Sequence, residues 1–391
     1  MNNFLSDTSK FSKYHPHTNT KKNPFLVAED RLNRNLLKMH KEGAISFDLY
    51  TQMRSTGSQP ARLYGLPKVH KSRTDPPYRP ILSMPNSYTT NLNKTLDSLL
   101  KPFIPTGINL KDSFDFVNSL KSVTSDGKVF VSFDVVSLFP NVPLQDTIEH
   151  ICSIIDFNLF PISADALTNL LNLACKNMIF QFNNDLYIQK DGVAMGSNLG
   201  PTMAAFAMDL VESKLPFRPL YYRRYVDDIF AIFDSHSDAL AYLDILNSVH
   251  PNIQFTMETQ NSEGSLCFLD VEVSSHDNNF KTCWSLKPTN TGRYTPFSSH
   301  SPLRYKKAAV RALIHRSKHL NTFSNDYEKS FSLIKSLFLA NGYPSRLIDE
   351  IKHDVDNPND SNKPSDKPAL LIWHLPYVKI LPSKPKTVST K

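Results

Sequence analysis

Two adjacent carboxylates, Asp227-Asp228, lie between the apolar runs Tyr225-Val226 and Ile229-Phe230-Ala231-Ile232-Phe233. Such flanks predict a strand hairpin with the acidic pair at its tip. Like charges held that close repel, and partial burial adds to the cost unless a cation neutralises them. Taken alone, an exposed acidic turn reads equally well. A second carboxylate shifts the balance. In Val129-Phe130-Val131-Ser132-Phe133-Asp134-Val135-Val136, Asp134 is the only charge after Lys128. Period-two alternation places it on the face opposite Val131 and Phe133; the plainer alternative is a strand-end Asp capping the next helix. Side by side, two such strands bring three carboxylates to one point. Oxygen-only donors suit Mg²⁺, which keeps waters and takes phosphate oxygens as further ligands. Two such ions serve an in-line phosphoryl displacement.

Two further segments could meet a phosphorylated substrate. Gly192-Val193-Ala194-Met195-Gly196-Ser197-Asn198-Leu199-Gly200-Pro201 precedes a helix. Its glycines allow close backbone approach, and a helix N-terminus favours anions. Lys68, Lys71, Arg73 and Arg79 lie in a Pro-punctuated stretch between Leu66 and Ser83, from which a hairpin could aim charge-assisted contacts at phosphates. A solvated loop is the stronger reading for Lys71 and Arg73, and the weaker one for Arg79 beside Ile81-Leu82.

The elements that position these groups follow from periodicity. Helices are predicted over Ala28–Lys41, Leu92–Leu100, Pro143–Phe157, Ala164–Asn177 and Pro201–Lys214. Hairpins are predicted around Asn183-Asn184-Asp185, over Tyr221–Phe233 and from Leu266 to Val273. The last third reads as helical: Pro302–Leu320, Asp326–Ala340 with Asn341-Gly342 as its C-cap, and a third helix from Ser345. The first of these carries Arg304, Lys307, Arg311, His315 and Lys318 on one side and Leu303, Val310, Leu313 and Ile314 on the other. Residues 1 to about 25, polar and without periodicity, are expected to be disordered, and 354–367 have a linker composition.

With 391 residues the chain should form more than one packed unit. Its formal net charge of +7 favours a polyanionic partner without identifying one. The distribution is more telling: nine Lys or Arg and no acid between Lys281 and Leu320, against Asp209, Glu212, Asp227, Asp228, Asp234, Asp238 and Asp244 in the centre. Four scattered cysteines make neither a disulfide framework nor a zinc ribbon, which suits a reducing compartment. His315 and His319 have metal-ligand spacing but no third partner nearby. No apolar run has the length of a membrane span or a signal core, so an intracellular protein without membrane contact is expected.

In this order, the segments resemble reverse transcriptases, and most closely those of Penelope-like retroelements. The resemblance rests on Leu63-Tyr64-Gly65-Leu66-Pro67-Lys68-Val69-His70-Lys71, Arg79-Pro80-Ile81, Ser132 to Phe139 and Gly192 to Pro201. It continues through Arg224 to Phe233, Cys267-Phe268-Leu269-Asp270-Val271, Thr289 to Arg316 and Gly342-Tyr343-Pro344. It implies an α+β right-hand polymerase related to telomerase catalytic subunits. The implied parts are an N-terminal tail and helix (1–56), fingers (57–128), an antiparallel palm (129–280), a helical thumb (281–353) and a linker and tail (354–391). It implies RNA-directed DNA synthesis from a DNA or RNA primer with dNTPs and two Mg²⁺, Mn²⁺ being able to substitute, and action in the nucleus. Carried over by position, Asp134, Asp227 and Asp228 are the catalytic metal ligands. Lys68, Arg79, Phe139, Gly196 and Ser197 meet the nucleotide, with Phe139 excluding a 2′-hydroxyl. Lys71, Tyr225, Phe268, Leu269, Arg304, Lys307 and Arg311 meet the nucleic acid.

Asn198 stands where the family usually has Pro, and Pro140 where Thr is common, which keeps a catalytically decayed copy that only binds nucleic acid as the alternative. An RNA-dependent RNA polymerase is disfavoured by Phe139. Relatives often continue past a segment like Leu375-Pro376-Tyr377 into a GIY-YIG nuclease; none is expected here.

Overall fold

The computed structural model describes residues 2–15, 23–69, 72, 74–287 and 289–358. The expectations for Lys71, Arg73 and the tail through Leu375-Pro376-Tyr377 lie outside the described residues. The first six strands are β1 (Phe11–Lys13), β2 (Ala61–Pro67), β3 (Tyr78–Ser83), β4 (Val129–Val135), β5 (Met178–Phe182) and β6 (Asp185–Gln189). Then come β7 (Tyr221–Tyr225), β8 (Asp228–Phe233), β9 (Phe255–Thr259), β10 (Ser265–Phe268), β11 (Val271–His276) and β12 (Asn279–Trp284). The chain divides into two compact units, one of residues 1–110 and 128–259, the other of residues 111–127 and the chain from Gln260. The expected palm boundary at 280 thus has a compactness boundary ahead of it, at Thr259.

The first unit holds two sheets. One has the order β1-β6-β5-β2-β3, antiparallel except where β2 meets β5. Its edge strand β1 corrects the expectation of disorder up to about residue 25: Phe11–Lys13 pairs with β6 and Phe11 is buried. Its β5–β6 turn is Asn183-Asn184, with φ of 48° and 68°. Asn tolerates that left-handed region, and a two-residue hairpin turn of this hand requires it. The other sheet, β7-β8-β4-β9, is antiparallel throughout. Behind it runs the helix Gly200–Ser213, started by Pro201 in its first turn. That helix is buried nearly all round, from Met203 and Phe206 to Leu210 and Val211. A second helix, His236–Val249, packs against β4, β8 and β9 through buried Ala239, Tyr242 and Leu246. This helix is an element beyond those the residue pattern predicts; Asp238 and Asp244, part of the acidic centre by sequence, lie on its solvent side.

The second unit contains the meander β10-β11-β12, the short helix Ser113–Leu120 and the helices Leu303–Leu320, Ser324–Ala340 and Ser345–Asp356. Asp112 caps the short helix by accepting from the Asp115 amide at 2.9 Å. Gly342, at φ 80°, ends the second long helix, with the Tyr343 amide donating to the Phe338 carbonyl. The buried line of Leu303–Leu320 is Lys306, Val310, Ile314, Ser317 and Leu320. Leu303, expected inside, is 47% exposed. Its place is taken by the stem of Lys306, whose ammonium donates to the Phe297 and Ser299 carbonyls at 2.7 and 2.8 Å. The last helix continues through Asp356, past the expected start of the linker at Asp354. Among the described residues no helix is long and apolar enough to cross a membrane.

Candidate active site

Strands β4 and β8 lie side by side with Asp134 and Asp228 as register partners. Val131 and Phe133 are fully buried beneath, while Asp134 is exposed, as the alternation requires. Asp134 lies within β4 and does not cap a helix. Tyr225 pairs with Asp228 to close the β7–β8 hairpin, leaving Val226-Asp227 as its two-residue turn. Val226 has φ 57°, a left-handed conformation that costs a β-branched residue about 1–2 kcal/mol. The Val135 amide donates to the Asp227 carbonyl at 3.4 Å, tying the turn to the end of β4. All three expected carboxylates therefore occupy neighbouring backbone positions. Among the described residues no three His, Cys, Asp or Glu side chains are grouped closely enough to hold a metal ion as they stand. The donor type still fits Mg²⁺, since every group at this point is a carboxylate.

The rest of the acidic centre has other tasks. Asp209 accepts from His150 at 2.7 Å, and Asp234 is ion-paired with Lys128. Glu212 is wholly buried and takes Arg224 Nε and Nη2 at 2.6 and 2.9 Å, with the Tyr222 hydroxyl donating at 3.1 Å. Burial and the neighbouring Glu212 push the Tyr222 phenol well above its ordinary value, so it remains a donor.

The residues expected to meet the nucleotide all lie in the same unit. The Leu82 amide of β3 donates to the Met195 carbonyl at 2.8 Å. Gly196 sits there at φ 124°, and a Cβ would collide with the Leu82 carbonyl oxygen. Asn93, 2% exposed, donates from Nδ2 to the Ser197 hydroxyl at 2.9 Å. No sequence signal had singled it out. Exposed Asn198 lines an open cavity of about 370 Å³ with Tyr64, Asn86 and Lys94. The Phe139 carbonyl accepts from the Val193 amide at 2.8 Å. Its half-buried ring lies beside Gly200, 3.5 Å from where a Cβ there would stand. The Pro140 backbone fills the space a Cβ on Gly192 would need, so the unusual proline is accommodated by a glycine. Lys68, half-buried, and Arg79, exposed, stand at the loop end of the β2–β3 hairpin, where Pro67 pairs with Tyr78.

In the second unit the expected nucleic-acid contacts separate. Phe268 is 3% exposed and packs on Phe116 at 4.8 Å, so it is a core residue and not a surface contact. Leu269, half-buried at φ 58°, forms the β10–β11 turn with Asp270. Asp270 accepts from Arg316 Nε at 2.9 Å and from the Ser113 hydroxyl. On the helix Leu303–Leu320, Arg304 is exposed over the Tyr305 ring and Lys307 is half-buried. Arg311 is ion-paired with Asp354 at 3.0 Å, and Lys318 donates to the Val355 carbonyl at 2.9 Å. The expected basic stripe is thus partly committed to the last helix. The His315 and His319 rings lie 4.2 Å apart and tilted, both edge-on to Phe114, and burial holds His315 below its ordinary value. In the first unit, Tyr225 is 36% exposed beside the acidic turn.

The family model described as Reverse transcriptase (RNA-dependent DNA polymerase) matches residues 69–274, and the Animal helix-turn-helix domain matches residues 293–353. No curated protein matches the sequence. Among solved structures, telomerase from Candida albicans, in complex with a TWJ fragment of telomeric RNA, is similar with a TM-score of 0.54 at 11% identity. The match covers 84% of this chain and 62% of that one. The Sicinivirus 3Dpol RNA-dependent RNA polymerase has a TM-score of 0.49 at 12% identity, covering 79% of this chain and 71% of that one. The likeness to telomerase shows a right-hand polymerase fold, and this chain spans 62% of that chain's length. The reverse transcriptase match takes in Asp134, the glycine segment and Asp227-Asp228 in a single run over more than half of the sequence, and the chain therefore belongs to the reverse transcriptase (RNA-dependent DNA polymerase) family.

Proposed function

We propose that the chain is the RNA-directed DNA polymerase of a Penelope-like retrotransposon, extending a DNA or RNA primer on an RNA template with dNTPs. The observation that carries this reading is the register of Asp134 with Asp228 across β4 and β8, with Asp227 in the adjoining turn. Asp134, Asp227 and Asp228 would hold two Mg²⁺. When bound, the ions stabilise the attacking and leaving oxygens of an in-line displacement. In that displacement the primer 3′-oxygen bonds to the α-phosphorus as the bond to pyrophosphate breaks.

The remaining roles belong to the protein. The backbone held by the Leu82–Met195 contact, with Gly196 and Ser197 beside it, would form the floor under the incoming nucleotide. Phe139, whose ring lies beside Gly200, would exclude a 2′-hydroxyl by steric clash. Arg79 and Lys68 would meet the triphosphate and the template by charge-assisted contacts. Arg304 and Lys307 would bear on the phosphate backbone, in the segment that matches the helix-turn-helix model.

The test is primer extension by purified protein on poly(rA) with oligo(dT), supplied with TTP or with UTP. Mg²⁺-dependent incorporation of TTP but not UTP is expected. Binding of the primed template without extension would favour the decayed copy instead. Equal use of UTP would remove the deoxynucleotide preference.

A further inference from the structure

The acidic turn has an internal support whose parts are all buried. Arg224, 3% exposed, is the penultimate residue of β7, just before Tyr225, which pairs with Asp228 to close the turn. Its guanidinium uses Nε and Nη2 on the two oxygens of Glu212, and Nη1 donates to the Val226 carbonyl at 3.1 Å. That carbonyl belongs to the peptide joining Val226 to Asp227, so holding its oxygen holds the peptide plane from which Asp227 departs. The main chain of Arg224 is fixed as well. Its amide donates to the Ile108 carbonyl at 3.0 Å, and its carbonyl accepts from the Leu110 amide at 2.7 Å. Glu212 is anchored in turn by the buried helix Gly200–Ser213 and by the Tyr222 hydroxyl.

A planar fork is needed for this task. Only a guanidinium can bridge a carboxylate with two parallel bonds and send a third donor elsewhere in the same plane. A buried ion pair is weak evidence for stability, since its desolvation offsets much of the attraction. Specific geometry is the better reason for one here. The turn also has something to hold: Val226 at φ 57° is strained, and such conformations persist only where the surroundings over-determine them.

We propose that Arg224 and Glu212 are positioning residues for the reaction: they lock the Val226–Asp227 peptide and so fix the bearing of the Asp227 carboxylate. The proposal rests on the polymerase reading for its kinetic consequence, but its structural part can be measured without activity.

The experiment compares wild type, Arg224→Lys, and the double variant Glu212→Leu with Arg224→Met. The double variant replaces the pair by apolar groups of similar bulk and leaves no buried charge unmatched, so it should fold. Amide hydrogen exchange by mass spectrometry is read over residues 224–229, together with kcat, KM for TTP and affinity for primed poly(rA). Exchange at the turn should quicken by at least about tenfold in both variants, while the rest of β4 and β8 stays protected. The kcat should fall about 10- to 100-fold, as expected for a displaced reacting group, with template affinity within about twofold of wild type. Arg224→Lys should not rescue it, because an ammonium cannot make all three contacts. A folded double variant whose turn exchanges as slowly as wild type would overturn the proposal. So would one with faster exchange and an undiminished kcat. A wild-type protein that does not extend primers would refute the polymerase reading alone, and the exchange comparison would still decide whether the pair fixes the turn.

Discussion

Asp134 and Asp228 are direct register partners on antiparallel strands, two carboxylates placed across from one another on the exposed end of a sheet whose inner face is fully buried. Like charges opposed in this way destabilise a sheet by about 0.2–1 kcal/mol. Asp134→Asn should therefore raise the melting temperature slightly in the presence of EDTA. Millimolar Mg²⁺ should raise that of the wild type and leave the variant unmoved. Primer extension should be lost in Asp134→Asn and in Asp227→Ala, with template binding largely retained. Calorimetry with and without Mg²⁺, beside the extension assay, checks both halves.

The ring of Phe139 should act as the sugar gate. Phe139→Val keeps an apolar contact with Gly200 but shortens the side chain. The preference for TTP over UTP should fall by at least about tenfold, with TTP incorporation reduced far less. Steady-state kinetics with each nucleotide measures the ratio.

At Gly196 both backbone and space forbid a side chain, given its φ of 124° and the Leu82 carbonyl against it. Gly196→Ala should cost roughly 2 kcal/mol or more, read as a lower urea midpoint. Gly43, also at positive φ (74°) but with nothing near its Cβ position, should lose less on the same change.

The basic helix offers a graded test. Loss of charge at Arg304 or Lys307 should reduce the slope of log affinity against log salt by about 1 each, as for a phosphate contact removed. Arg311→Ala should reduce it less, because Asp354 already faces that guanidinium at 3.0 Å. Equal slopes for all three would mean the ion pair opens on binding.

In the second unit the Lys281 ammonium, 2.9 Å away, holds the Asp326 carboxyl below its ordinary value. The folded form thus binds this proton less readily than the unfolded chain. The stabilisation is complete above the ordinary carboxylate value, roughly pH 4, and is lost as pH falls through the lower folded value. Asp326→Asn should flatten that acid limb while lowering stability near neutrality. Thermal melts from pH 7 to pH 3 give the comparison.

Much of the site could be read from residue order because its chemistry is local. The alternation around Asp134, the apolar flanks of Asp227-Asp228 and the spacing of Gly192, Gly196 and Gly200 each leave a mark within a few residues. What escaped depends on partners distant in sequence. Nothing near Asn93 announces that it will meet Ser197, and nothing near Glu212 announces Arg224. The resemblance alone assigns Phe268 to the nucleic acid, and its four-residue strand carries too little alternation to show that it faces inward. The stripe from Arg304 to Lys318 is basic in composition, but the acids that take up Arg311 and Lys318, Asp354 and Asp356, lie in the last turn of the helix from Ser345, where the composition already reads as linker.

The second unit is discontinuous in sequence: the helix Ser113–Leu120 lies far upstream of the meander it packs against through Phe116 and Phe268. A graft that exchanged only the chain from Gln260 onward would separate Asp270 and Arg316 from Ser113 and strip Phe116 from the core. Such a unit cannot pass between lineages by a single crossover. Its two pieces have to change together, so the residues at Ser113, Phe116, Phe268 and Asp270 should be inherited as a set.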